Sequence, residues 1–263
     1  MNLQIAAHRG VSGGDIPCNT RTAFEIALMQ GADIVELDVA VSKEGSLFVF
    51  HPGMEPAHLL SEKRIRDMTD EEVRSLRFYN YDSVITEEPV LTLDEALEQL
   101  KNRCLINVDK FWTAVGPIAE TIRRHGMADQ VIVKTSPDKV CYDTVEALAP
   151  DMPYMIVTRN TDECTAYLKT RPLRYIGTEV LFREDSSVLA SREYIDDMHR
   201  QGFKVWVNAI VYDYKTVISG GHTDDAALRG NPEWGWKWLY DRGFDIIRTD
   251  WPQLLRQYLT QNT

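Results

Sequence analysis

The sequence predicts an α/β fold: a (β/α)8 TIM barrel with a small insertion after the second strand. Three observations lead there. Eight short apolar runs alternate with eight segments of helical period, the pattern of consecutive parallel β-α units. The chain has 263 residues, close to the roughly 250 such a barrel needs. Nearly every polar residue with chemical potential falls at the C-terminal end of an expected strand, where barrels keep their sites. The alternation alone also suits an open doubly wound sheet; the count of eight favours closure.

The expected strands are Leu3–Ala7, Asp33–Val39, Leu105–Asp109, Val131–Lys134, Tyr154–Val157, Tyr175–Thr178, Lys204–Val207 and Asp245–Arg248. The expected helices are Arg21–Gln30, Leu93–Lys101, Ala114–His125, Lys139–Leu148, Asp162–Lys169, Arg192–Gln201, Trp234–Asp241 and Gln253–Leu259. Start and stop signals agree with these bounds. Thr92 with Asp94 and Glu95 opens one helix, and Gly126, Gly202 and Gly243 follow three others. Residues 43–91 are too long for one β-α loop and form an excursion with its own short strand, Leu47–Phe50. Residues 212–233 form a polar, Gly-rich loop after the seventh strand. Both stretches belong on the C-terminal face, where long loops usually serve function. With no internal repeat or low-complexity linker, the chain reads as a single domain, 1–263.

Composition narrows the function. Hydrophobic residues at 44% and charged residues at 26% supply a substantial core. A net charge of −11 argues against nucleic acid and against stable docking on an anionic membrane. It leaves room for a small-molecule phosphate ester, because a local cation can invert the field inside one pocket. Cys18, Cys104, Cys141 and Cys164 form no CxxC pair, which suits reduced thiols and a cytoplasmic location. The N-terminal segment lacks a basic stretch followed by a long apolar one, and no run approaches the ~20 apolar residues of a membrane span. Oligomeric state leaves no readable signal.

The chemistry-bearing residues sit at strand ends. Glu36 and Asp38 are two apart on the second strand and project to one side. Paired carboxylates repel, so a positive group belongs between them: a hard divalent cation such as Mg²⁺ or Ca²⁺, or Arg9. His8-Arg9-Gly10 ends the first strand. An imidazole can move protons near neutral pH, and a guanidinium can grip phosphate oxygens with two donors. His51, after the short inserted strand, offers a second imidazole. An acid and a base on opposite sides of phosphorus are what in-line displacement needs. Asp109 ends the third strand as a third oxygen ligand, and Lys134 ends the fourth as a further positive charge toward the phosphate. Trp206 and Asn208 at the end of the seventh strand are candidates for the pocket wall, though Trp206 equally suits barrel packing. Asp250, with Pro252 behind it, suits the cap of the last helix.

These residues fall in segments that resemble the glycerophosphodiester phosphodiesterase family: Ala7-His8-Arg9-Gly10, Cys18-Asn19-Thr20, Gly31 through Val39 with its Glu36-Leu37-Asp38, His51, Leu91 through Leu97, and Gly243 through Pro252. The resemblance implies a barrel that hydrolyses glycerophosphodiesters to glycerol phosphate and an alcohol. It implies His8 and His51 as acid and base, Arg9 on the phosphate, and Glu36 and Asp38 on a metal. A ligand on the third strand is implied too, and Asp109 is available. The chain departs from the family pattern at Cys18, where Glu is usual, and at Pro52, where Asp is usual. The third-strand ligand is commonly Glu with Lys two positions on. Here the run is Asp109-Lys110, and strand alternation turns Lys110 the other way. The segment Gly220 through Asp225, with Gly235-Trp236 after it, is similar to a divergent bacterial branch. Two other readings fit the same residues. One is a phosphoinositide-type phosphodiesterase or lyase that stops at a cyclic phosphate. The other is a barrel that binds a polyol phosphate without turnover.

Overall fold

The computed structural model describes residues 3–213 and 215–262. Eight parallel strands close into a barrel: β1 Gln4–Ala7, β2 Ile34–Val41, β6 Leu105–Asp109, β7 Val131–Thr135, β8 Tyr154–Arg159, β9 Tyr175–Leu181, β10 Lys204–Asn208 and β11 Ile246–Thr249. The ring closes because β1 pairs with both β2 and β11. Three further strands, β3 Leu47–Val49, β4 Arg77–Tyr79 and β5 Ile85–Pro89, lie in the insertion after β2. The closed barrel expected from eight alternating units is therefore the observed one.

Helix ends follow local chemistry. Thr20 caps the helix Arg21–Met29 by accepting from the Ala23 amide. Thr92 and Glu95 form a reciprocal capping box at the start of Leu93–Leu100. The helix expected at Trp234–Asp241 is instead a π-turn, Glu233–Lys237, that runs into a short α-helix, Trp238–Arg242. Apolar clusters on two sides bind the helices to the strands, one around Phe24, Leu97 and Ile118, the other around Phe182, Trp236 and Phe244.

Inside the barrel, Ala6, Ile34, Ile132, Met155, Trp206 and Ile246 pack as one apolar layer. Strand alternation then fixes what lies above it. Two residues on from these come His8, Glu36, Lys134, Asn208 and Arg248, on the same inner side. The lower layer is thus apolar and the next is charged. In the insertion, β3 runs antiparallel to the end of β2, with Val39 opposite Val49. A separate apolar cluster of Phe48, Phe50, Ile65 and Phe78 holds this excursion together. The 212–233 loop carries a short helix, Asp224–Leu228, and is pinned by His222. That imidazole is buried, bonds Asp185 and the Trp234 carbonyl, and stacks on Trp238 at 3.6 Å between ring centroids. Tyr214 within this loop lies outside the described residues.

Two glycines are required by the backbone. Gly10 has φ +78, and a Cβ there would lie 2.8 Å from the Ala23 carbonyl. The close approach at this glycine is to the first helix, whose Ala23 carbonyl accepts from the Val11 amide. Gly177 has φ +145, and its Cβ would meet the Lys204 carbonyl oxygen at 1.9 Å. It sits at an irregularity where β8 and β9 slip by one residue, Tyr154 facing Tyr175 and Met155 facing Gly177. Backbone cannot retreat as a side chain can, so Gly177→Ala should lower stability by at least about 3 kcal/mol. Thermal unfolding should register this as a drop of roughly 6–12 °C. An unchanged midpoint would show that the β9–β10 contact is looser than described.

Candidate active site

β1 delivers His8 and Arg9 to the C-terminal mouth of the barrel. His8 Nδ1 lies 2.8 Å from Asp250 Oδ1, which follows β11. Arg9 takes φ +56, a left-handed turn that points its amide at Glu36 Oε2, 2.7 Å away. Its guanidinium Nε lies 3.0 Å from Asp38 Oδ2. Asp38 is also clasped by Asn19, whose amide nitrogen donates to Oδ2 at 3.0 Å and whose oxygen accepts from the Asp38 amide. This contact gives the Asn19-Thr20 motif two jobs: one residue holds a carboxylate, the next caps a helix.

β3 explains how His51 arrives from a distant insertion. The Phe50 amide donates to the Asp38 carbonyl, so the chain leaves β3 directly above β2. His51 Nε2 then lies 4.0 Å from Asp38 Oδ1. Burial, with Arg9 and Lys110 nearby, pushes its imidazole down to about 4. Asp109 on β6 is the register neighbour of Asp38 on β2. Glu36, Asp38 and Asp109 each offer an oxygen within 4.8 Å of the other two. Burial and the neighbouring Glu36 carry Asp38 up to about 6. Its Oδ1 is buried without a hydrogen-bond partner among the described residues. Three clustered carboxylates with an orphaned inward oxygen fit a hard divalent cation.

His8, Arg9, His51, Glu36 and Asp109 all line one cavity of about 350 Å³, within the range of small-ligand sites. A second cavity of about 340 Å³ flanks His8 and Arg9 and is lined by Cys18, His58 and Tyr81. Burial pushes the Cys18 thiol up to about 11. It is therefore neutral at physiological pH and carries no charge where the resembling family has a carboxylate.

Several expectations change. Lys134 is buried beneath the cavity floor, with its ammonium 2.6 Å from Glu179 Oε2 and 3.3 Å from the centre of the Trp206 ring. Its charge is answered by Glu179, so it does not line the cavity. Trp206 belongs to the apolar layer inside the barrel, and Asn208 donates to Glu179 Oε1 at 2.7 Å. Both are fully buried, and the wall is formed instead by Val157, Leu181, Ile210 and Ile218. Lys110 does not point away. It lies just past β6 at φ +59, and this turn brings Nζ to 3.1 Å from Asp109 and 3.8 Å from Asp38. Asp250 does not cap the last helix, Pro252–Asn262, because its carboxylate is engaged with His8.

The structure adds two residues with no expected role. Arg248 stands between two carboxylates, with Nη1 3.3 Å from Glu36 and Nη2 3.4 Å from Glu179. Like Glu36, Arg248 stands two residues past an inward apolar side chain of its strand. Glu179 was hidden for a different reason. The expected strand stopped at Thr178, and the slip at Gly177 reverses the alternation there. Below Asp250, Asp224 accepts from Trp236 Nε1, from Thr249 Oγ1 and from the Asp250 amide. The 212–233 loop thereby fixes the residue that touches His8.

The comparisons with known proteins agree with this fold. A glycerophosphodiester phosphodiesterase of Bacillus altitudinis is 32% identical over 144 residues, which cover 50% of this chain and 57% of that protein. One of Caldanaerobacter subterraneus subsp. tengcongensis is 29% identical over 143 residues, 51% of this chain and 58% of its own. The chain resembles the glycerophosphodiester phosphodiesterases. The match spans a little over half the length of these curated relatives. The crystal structure of a glycerophosphoryl diester phosphodiesterase from Parabacteroides distasonis superposes with a TM-score of 0.80 at 20% identity, over 98% of this chain and 86% of that one. An Oleispira antarctica phosphodiesterase in complex with the product sn-glycerol-3-phosphate gives a TM-score of 0.71 at 20% identity, over 98% and 96% of the two chains. These structural likenesses establish the fold. Residues 152–259 match a family described as a domain of unknown function. No described helix is long and apolar enough to cross a membrane.

The Glu179 carboxylate permits a direct test of the buried pairing. Burial opposes its charge, but Lys134 and Arg248, with donors from Lys134 and Asn208, outweigh that and hold its carboxyl at about 2. A carboxyl depressed in the folded state adds stability above its unfolded pKa and loses it as pH falls toward the folded one. The protein should therefore lose stability from about pH 5 down to pH 2. Glu179→Gln should flatten this acid limb and cost about 3 kcal/mol near pH 7, because Lys134 loses its partner. Chemical denaturation across that pH range measures both. An unaltered acid limb would remove Glu179 from the balance.

Proposed function

We propose that this chain is a phosphodiesterase that hydrolyses glycerophosphodiesters to glycerol phosphate and an alcohol, with His8 and His51 as its proton-transfer groups. One observation carries the reading: two imidazoles from distant segments face a single cavity whose floor holds Arg9 and three clustered carboxylates. The likeness to glycerophosphodiester phosphodiesterases over half of the sequence supports the substrate class.

Arg9 offers its guanidinium to the phosphodiester oxygens, while Lys110 and Arg248 add positive charge beside it. One imidazole takes the proton from the substrate hydroxyl next to the phosphate, and that oxygen attacks phosphorus. The other imidazole protonates the leaving alcohol. Water then opens the cyclic phosphate with the two roles reversed, so the pair returns to its starting protonation. Asp250 engages His8 Nδ1 and leaves Nε2 as the reactive nitrogen. Glu36, Asp38 and Asp109 would hold Mg²⁺ or Ca²⁺, which when bound polarises substrate oxygens and neutralises charge at phosphorus.

Phosphorus NMR of a panel of glycerophosphodiesters, run with Mg²⁺, with Ca²⁺ and with chelator, tests the reading. Glycerol phosphate should accumulate, and chelation should suppress it. His8→Ala and His51→Ala should each lower kcat by at least ~10²-fold. A cyclic phosphate as the final product would replace this proposal with a lyase, and binding without turnover would replace it with a binding protein. Near-native turnover in either histidine variant would take that residue out of the chemistry. Asp250→Asn should lower kcat by about 10-fold with KM little changed, because it loosens His8 without touching the phosphate. A change confined to KM would contradict that positioning role.

A further inference from the structure

The far wall of the cavity carries a charge that the reaction does not use. Arg159 closes β8 and lines the same cavity as His8 and His51. Its guanidinium has no hydrogen bond or ion pair among the described residues. Every other charged group of the cavity is answered locally. Glu36 faces Arg248 and the Arg9 amide, Arg9 faces Asp38, Asp109 faces Lys110, and Glu179 faces Lys134. The rest of the far wall is uncharged: Val157, Leu181, Ile210 and Ile218 are apolar, and Ser136 and Thr216 are polar. Asp213, on the loop beside it, caps its own turn through the Lys215 and Thr216 amides. A cationic head group against this far wall would meet an unpaired cation and, among the described residues, no carboxylate on the wall itself. The aromatic face of Trp112 is no refuge, because the Lys110 ammonium already lies 5.2 Å from it.

We infer that Arg159 is a specificity-determining residue that selects phosphodiesters whose leaving alcohol carries a second anionic group, and that disfavours cationic head groups such as choline. This rests on the phosphodiesterase reading and deepens it. The glycerol arm is uncharged in every such ester, so a lone cation on the wall discriminates only through the other alcohol. Like charges in one cavity repel and opposite ones attract, with a strength that falls as salt rises.

The test compares three glycerol phosphodiesters, of choline, of glycerol and of glycerol phosphate, by kcat/KM at low and high ionic strength. The anionic ester should lead the cationic one by at least about 10-fold at low salt, or about 1.4 kcal/mol, and the gap should shrink as salt rises. Arg159→Ala should narrow the gap mainly through KM, and Arg159→Glu should invert the order. For the neutral ester kcat should change less across the three proteins than the ratio of anionic to cationic kcat/KM, since Arg159 does not touch the reacting atoms. A choline ester that is fastest in the native protein, or an order that Arg159→Glu leaves unchanged, would overturn the inference. Absence of turnover on all three esters would instead sink the phosphodiesterase reading. Calorimetric titration of the same esters against the His51→Ala variant, native and Arg159→Glu, reads the charge preference without chemistry. Equal affinities there would overturn it independently.

Discussion

The interior of this barrel depends on one constraint: four charges buried between its strands must answer one another. Glu36, Arg248, Glu179 and Lys134 form an alternating row of two anions and two cations above the apolar layer. An ion taken out of water costs several kcal/mol unless close partners replace the lost hydration. The row meets that demand within itself, with Asn208 completing Glu179 and the Arg9 amide completing Glu36. Because these groups are already neutralised as a set, none is free to rotate toward solvent. The carboxylate of Glu36 is held by Arg248 on one side and by the Arg9 amide on the other.

The row also separates the groups that support the site from those that face a ligand. Lys134 lies against the Trp206 ring under the floor, while Arg9 and Lys110, each on a left-handed turn at a strand end, reach over the carboxylates from above. A strand end can depart from alternation as soon as the ladder releases it. That freedom lets neighbouring residues such as Asp109 and Lys110 meet at one point. The histidines gain their positions by longer routes. His51 relies on a single antiparallel hydrogen-bond register to β2. His8 relies on Asp250, which is tied through its amide to the buried Asp224. Burial raises Asp224 to about 7 even though Trp236, Thr249 and the Asp250 amide all donate to it. The second long loop thus lines the cavity through Thr216 and Ile218 and also fixes His8 from behind.

Much of this was legible in advance. The parity that sends Glu36 and Asp38 to one side is a property of extended backbone. The alternation of β-α units needs only apolar period and turn residues. The cluster of His8, Arg9, Glu36, Asp38, His51 and Asp109 follows from placing each at a strand end on one face. Lys134, Trp206 and Asn208 share that strand-end signature but are buried below the cavity, Trp206 in the apolar layer and the other two turned onto Glu179. Depth along a barrel axis depends on the stagger of neighbouring strands, which a single strand does not reveal. Glu179 escaped because a one-residue slip at Gly177 reverses parity, and Asp250 because a capping position and a partner for His8 look alike along the chain.

The sequence by itself determined the barrel, the strand that carries two carboxylates and the presence of two imidazoles at strand ends, because each depends on local period and on polar residues next to turns. Tertiary structure decided which charges neutralise one another, which cations face the cavity and which residue orients His8. Those choices depend on strand stagger, on backbone turns at strand ends and on contacts between segments more than 200 residues apart, such as Glu36 with Arg248. Burial makes such pairing obligatory, but only the closed fold determines the partner.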